Sequence, residues 1–214
     1  MIIDPQSLNS RDAYGLLVSC IVPRPIAFIT SVNTKGRVNA APYSFFNALS
    51  ASPPLLVVSA ARSKGAKKGT TENILSRKEF VVNLISESLL EKMILSTGDF
   101  PPEVSKVEEI GLSLLPSQSV AVPRIAESPV SCECTLYKHF TLADETLDLL
   151  IGEIRRYHIA DSLFTEGVVD QKRLKPVSRM GGRYYAVIER ILEFSAPARR
   201  KNEGSSEGKS ETRR

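Results

Sequence analysis

The chain has 214 residues, 42% of them hydrophobic, and a formal net charge of +4. That composition suits one sizeable folded unit with a buried core and sets aside disordered and membrane-embedded classes. The positive charge is concentrated in residues 199–214, where six Lys or Arg stand against three Glu, so the rest of the chain carries only +1 and no nucleic-acid surface is expected on the folded body.

The N-terminus opens Met1-Ile2-Ile3-Asp4, without the basic start of a signal peptide. No apolar run approaches the roughly 20 residues that span a bilayer. A cytoplasmic protein with no membrane partner is the expectation. Residues 10–22, "SRDAYGLLVSCIV", read as a short helix with Ser10 as its N-cap and Asp12 in the first turn, stopped by "PRP" at 23–25. The β-branched run 26–32 predicts a buried strand, "NTKG" at 33–36 a turn, and 37–43 the returning strand of a hairpin. Residues 39–54, "NAAPYSFFNALSASPP", fit neither a core strand nor a helix, and their small, amide, hydroxyl and aromatic side chains raise the question of what they hold.

Strands are predicted at 54–61 and 79–86, separated by a basic loop at 63–69 and a short helix at 70–77 with Thr70 as N-cap. A helical stretch at 87–96 and an irregular 98–111 follow. From residue 128 onward the pattern is mostly β, and the expected architecture is a closed antiparallel barrel with peripheral helices. Residues 1–198 form the expected domain, and the Gly/Ser-rich remainder, 199–214, a disordered polar tail.

Three cysteines argue against a disulfide framework. Cys132 and Cys134 share a strand face and read as small apolar residues; no metal site is expected from them. His139 and His158 are the two histidines, and neither stands near a carboxylate motif that would make it a triad base.

Three segments have side chains suited to binding. Lys67, Lys68 and Gly69 lead into a helix start, offering ammonium groups, free N–H groups and a dipole end to a phosphate; a solvated lysine-rich turn is the alternative. Asn39, Ser44 and Asn47 can both donate and accept, as the edge of a heteroaromatic ring requires, beside the flat surfaces of Phe45 and Phe46; the alternative is a loop whose aromatics plug a barrel end. "RMGGRYYAV" at 179–187 offers a tight turn or a close backbone approach to a ligand.

Taken in order, "PRPIAFITSVNTKGRVNAAPYSFFNALSASPPLLVVS", "KKGTTEN", "FVVNL", "GEIRRYHIAD" and "SRMGGRYYA" resemble the flavin reductase-like family of FMN-binding split-barrel proteins over about residues 12–190. The resemblance implies a mainly β, six-stranded antiparallel Greek-key split barrel with flanking helices, forming a homodimer with FMN at the interface. It also implies an oxidoreductase that takes electrons from NAD(P)H and passes them to flavin, iron, oxygen, a small molecule or a partner oxygenase. A non-catalytic split barrel that holds FMN or haem as a sensor or store is the alternative.

Matched residue by residue, the resemblance assigns Arg24 to the neighbourhood of the flavin, and Thr30 and Ser31 to the ring or its ribityl chain. Asn39, Ala40, Ser44, Phe45 and Asn47 fall on the segment lining the ring, and Ser59 on a strand end beside it. Lys68, Thr70 and Asn73 match a K-D-T-x-x-N phosphate motif, and Gly181, Gly182 and Tyr185 a motif reaching the flavin or substrate side, from either chain of the dimer. Gly69 replaces the family's Asp, which loosens the loop and makes the position of Lys68 less secure than that of Thr70. No catalytic side chain is assigned: the cofactor would carry the chemistry and the protein supply binding and electrostatics. No "GxGxxG" fingerprint is present, so a nicotinamide would stack on the flavin face without a dedicated domain.

Overall fold

The computed structural model describes residues 1–100 and 104–194; the predicted tail and the last residues of the expected domain lie outside them. In chain order the elements are α1 (Ser10–Cys20), β1 (Arg24–Pro25), β2 (Ala27–Val32), β3 (Val38–Tyr43), β4 (Phe46–Ala51), β5 (Pro54–Ala61), α2 (Gly69–Arg77) and β6 (Glu79–Asn83). Then come α3 (Leu90–Leu95), α4 (Lys106–Glu109), β7 (Leu114–Leu115), β8 (Arg124–Ile125), β9 (Val130–Leu142), β10 (Leu147–Ile159), β11 (Phe164–Thr165), β12 (Val168–Val169), α5 (Gln171–Leu174), β13 (Val177–Arg179) and β14 (Tyr185–Val187).

Seven strands form one antiparallel sheet in the order β3-β2-β6-β9-β10-β5-β4. That is one strand more than the six the resemblance implied. β3 and β4 are its two edges, yet Ser44 and Phe45 alone separate them in the chain. Two residues cannot cross a flat sheet of that width, since strands lie about 4.8 Å apart. The sheet therefore curls until its edges approach each other, and the Ser59 N–H donates to the Phe45 carbonyl at 2.8 Å, extending the β4–β5 ladder into the link.

The aromatic segment 39–54 is mostly strand. Its first part lies in β3 and its second in β4, whose edge position tolerates a mostly exposed, mixed sequence. Pro42 is accommodated because β3 is an edge, where a missing N–H costs no ladder bond.

Alternation along β2 separates two cores. Ala27 and Ile29 face the barrel interior with Val58, Phe80, Val82, Cys134 and Leu150. Ile26 and Phe28 face outward, beneath Leu89, Met93, Val107 and Ile125. Helix α2 packs on β2, β3 and β6, and its Ile74 joins the inner core. Between the layers, Asn83 is fully satisfied: its amide donates to the Phe28 carbonyl and to Thr30 Oγ1, and its carbonyl accepts from the Ile125 N–H and Ser131 Oγ. Such a complete network is what makes a buried amide tolerable.

The capping residues differ from expectation by one or two positions. Asn9, not Ser10, caps α1, its side chain accepting from the Asp12 N–H at 2.9 Å. Lys68 occupies the N-cap position of α2 and Thr70 lies inside the first turn. Both cysteines of β9 are buried, and burial pushes the Cys132 thiol up to about 12. Both histidines do pair with carboxylates: His139 with Asp148 at 2.9 Å, and His158 with Glu133. The acids come from distant strand positions, so the partnership leaves no local motif. Among the described residues no helix is long and apolar enough to cross a membrane.

Candidate functional site

A two-lobed cleft runs along the barrel seam. The smaller lobe, about 290 Å3, is lined by Ser44 and Phe45 from the β3–β4 link, Ser59 of β5, Tyr14 of α1, and Arg179 and Tyr185 from β13 and β14. The larger, about 700 Å3, is lined by Asn39, Arg37, Phe100, Lys106 and the start of α2. Pro42, Tyr43, Lys68 and Thr97 border both.

The start of α2 is where a negative ligand would find donors. Its first turn carries no side-chain cap, so N–H groups that a helix leaves unpaired are not taken by a side chain. Thr70 is buried, and its Oγ1 accepts from Asn39 Nδ2 at 2.9 Å. Asn73 is buried and donates to Ser31 Oγ at 3.0 Å, which fixes its amide. Lys68 is exposed and holds its Nζ 5.6 Å from the Tyr43 ring centroid. Gly69 leaves Glu72 as the acid of the first turn. Burial pushes the Tyr43 phenol up, opposed by its hydrogen bond with Thr70. Burial pulls Lys106 down, opposed by Asp99, and its Nζ lies 5.3 Å from the Phe100 ring centroid.

The other end is flat and aromatic. Phe45 is over a third exposed, and the Arg179 guanidinium sits 4.5 Å from the Tyr185 ring centroid, an arrangement that fixes the ring by a cation–π contact. Ser44 and Ser59 supply hydroxyls between these rings.

Of the residues picked out in the sequence, Asn39, Ser44, Phe45, Ser59, Lys68, Thr70, Asn73 and Tyr185 meet in this cleft. Others do not line it directly. Arg24 is buried beside the cleft, its guanidinium 5.8 Å from the Phe45 ring centroid, and donates to the carbonyls of Val18, Ile21 and Met180, tying the end of α1 to the 180–184 turn. Thr30 donates to the Pro123 carbonyl, Ser31 braces Asn73, and Ala40 lies in the outer core. Asn47 is exposed on β4 and accepts from the Ala48 N–H. Gly181 packs against Ser19 of α1, where a β-carbon would lie 3.3 Å from Ser19 Cα, and Gly182 takes φ +58 in the turn.

Tyr14, Tyr43, Thr97, Arg179 and Lys106 also line the cleft and were not singled out. Tyr43 and Arg179 stand inside or next to quoted motifs, so adjacency was a usable signal. Tyr14 and Thr97 arrive from α1 and the end of α3, and nothing local marks them.

Residues 18–178 match the flavin reductase like domain. The chain belongs to the flavin reductase-like family. Nitrilotriacetate monooxygenase component B from Bacillus cereus superposes with a TM-score of 0.88 at 36% identity, over 91% of this chain and 98% of that one. The Pseudomonas fluorescens 2-nitrobenzoate 2-nitroreductase superposes with a TM-score of 0.86 at 33% identity, over 95% and 100%. A split-barrel protein from Shewanella frigidimarina shares the fold, with a TM-score of 0.80 at 21% identity over 90% and 96%. The barrel with its seam, as described here, is therefore the flavin reductase-like split barrel, and the cleft lies within the matched region apart from Tyr14, Arg179 and Tyr185.

Proposed function

We propose that this chain is an FMN-binding oxidoreductase that moves electrons from NADH or NADPH through FMN to a second acceptor. The observation that carries the reading is the polarity of the cleft: an uncapped, cationic helix start at one end and exposed aromatic surface with hydroxyls at the other. A planar heteroaromatic group joined to a phosphate has the same polarity. The residues present fit such a group, since the first turn of α2 has no side-chain cap and Gly69, Thr70 and Asn73 of that helix line the cleft with Lys68.

When bound, the flavin supplies hydride acceptance and onward electron transfer. The first-turn N–H groups of α2, Lys68 and Thr70 hold the phosphate, with Asn73 kept in place by Ser31. Ser44 and Ser59 would offer donors and acceptors to the polar edge of the ring, while Asn39, bonded to Thr70, would stand at the phosphate end. Phe45 and Tyr185 would give the ring an apolar surface that excludes water. The B. cereus protein being a monooxygenase component and the P. fluorescens protein a nitroreductase support two acceptors, a partner oxygenase and a small nitroaromatic.

The test combines loading and turnover. Protein reconstituted with FMN is expected to oxidise NADH or NADPH faster than free FMN does, with a nitroaromatic or added flavin as acceptor. Lys68→Ala with Thr70→Ala is expected to weaken FMN at least tenfold while leaving riboflavin nearly unchanged, because riboflavin lacks the phosphate. Equal losses for both ligands would remove the phosphate assignment. Bound flavin that neither nucleotide reduces would favour a non-catalytic binding module.

A further inference from the structure

A separate cavity of about 420 Å3 lies between the 117–119 loop, β8 and the C-terminal end of β10. Arg124, Arg156 and His158 form part of its wall, with Gln118, Ser128 and Tyr157 around them. Alternation on β8 sends Ile125 into the outer core and leaves Arg124 on the cavity side.

Two features set this cavity apart from an ordinary basic surface. Arg124 is half-buried, forms no ion pair among the described residues, and its Nε is shut away from solvent with no acceptor. A guanidinium without a carboxylate partner keeps its full positive charge at the cavity wall. Arg156 has no carboxylate partner either; its Nε donates to Ser119 Oγ at 3.0 Å. Glu133, the acid bound to His158 and cross-strand neighbour of Arg156, also accepts from the N–H groups of Gln118 and Ser119; its single negative charge stands against two guanidinium charges.

We propose that this cavity is an oxyanion-binding site distinct from the flavin cleft, taking the phosphate or carboxylate group of a small molecule. The Arg124 fork offers parallel N–H donors to a planar or tetrahedral oxyanion, and Arg156 adds a second positive charge. Tyr157, exposed on the rim, gives the organic part of the ligand an aromatic surface.

Calorimetric titration of the full chain at low ionic strength, with saturating FMN present, tests this with inorganic phosphate and with benzoate as probes. Saturable binding of at least one probe is expected, about tenfold weaker in Arg124→Gln and in Arg156→Gln, with unchanged far-UV circular dichroism and unchanged flavin content. Binding is expected to survive Lys68→Ala, which separates this cavity from the start of α2. Stronger phosphate than benzoate binding identifies phosphorylated ligands, and the reverse identifies carboxylates. If Arg124→Gln does not fold, Arg156→Gln alone decides. The proposal is overturned if neither probe binds saturably, or if both variants bind as the parent does. It is equally overturned if the variants instead shift the oligomeric state, since a carboxylate of a second copy would then be the partner of Arg124.

Discussion

Gly152 stands at a register shift between β9 and β10, where an added β-carbon would come 2.4 Å from Phe80 Cζ and 3.3 Å from Leu56 Cδ1. Phe80 is fully buried in the inner core and has no room to retreat. Gly152→Ala is expected to cost about 1–3 kcal/mol through overpacking, seen as a lower urea midpoint with an unchanged slope. The glycine was quoted in "GEIRRYHIAD", but what it makes room for, a ring from another strand, is not written beside it. The same holds for Arg24 and Thr30. Residue type marks them as polar and capable of binding, yet the backbone carbonyls of Val18, Ile21 and Met180 take the terminal nitrogens of Arg24, and that of Pro123 takes the Thr30 hydroxyl. Asn39, Lys68, Thr70 and Asn73 were legible because the helix start that gathers three of them is a local structure.

At the scale of elements, the long β9–β10 hairpin holds its charges in two buried clusters. Asp148 is kept below the usual carboxylate range by Arg62 foremost and then His139, against the effect of burial. Burial pushes Glu133 up, but His158 and the N–H groups of Gln118 and Ser119 outweigh it and leave the group lowered. Both acids therefore bind protons more weakly in the native state than in the unfolded chain. Their contribution to stability is present above the unfolded values of about 4 and is lost as pH falls through the lower native values. The urea midpoint is expected to hold between about pH 7 and pH 5 and then fall, and Asp148→Asn is expected to flatten the acid limb. An acid limb left unchanged in Asp148→Asn would assign the acid sensitivity elsewhere. Strands β2, β5, β6, β9 and β10 were readable because each is apolar on at least one face. β4 was not, because an edge strand with one residue partly buried shows no alternation.

For the whole molecule, one of the exposed apolar surfaces lies on α1 and on β4 with its link. Tyr14, Leu17 and Ile21 are each at least half exposed, as is Leu49, and Phe45 adds to them. An 11-residue helix with Val18 as its buried residue is poorly covered by its own chain. The homodimer implied by the family resemblance would cover this surface. Sedimentation is expected to give a dimer for the parent and a monomer for Leu17→Glu with Leu49→Glu, circular dichroism being unchanged. A monomeric parent would remove this assignment.

The two-residue link of Ser44 and Phe45 gives the seam a further meaning. A sheet whose free edges are clasped by so short a hinge has no slack there: the barrel cannot widen along its seam without displacing the residues that form the mouth of the cleft. A group filling the cleft would press on both sides of that clasp at once, and so oppose any opening of the seam.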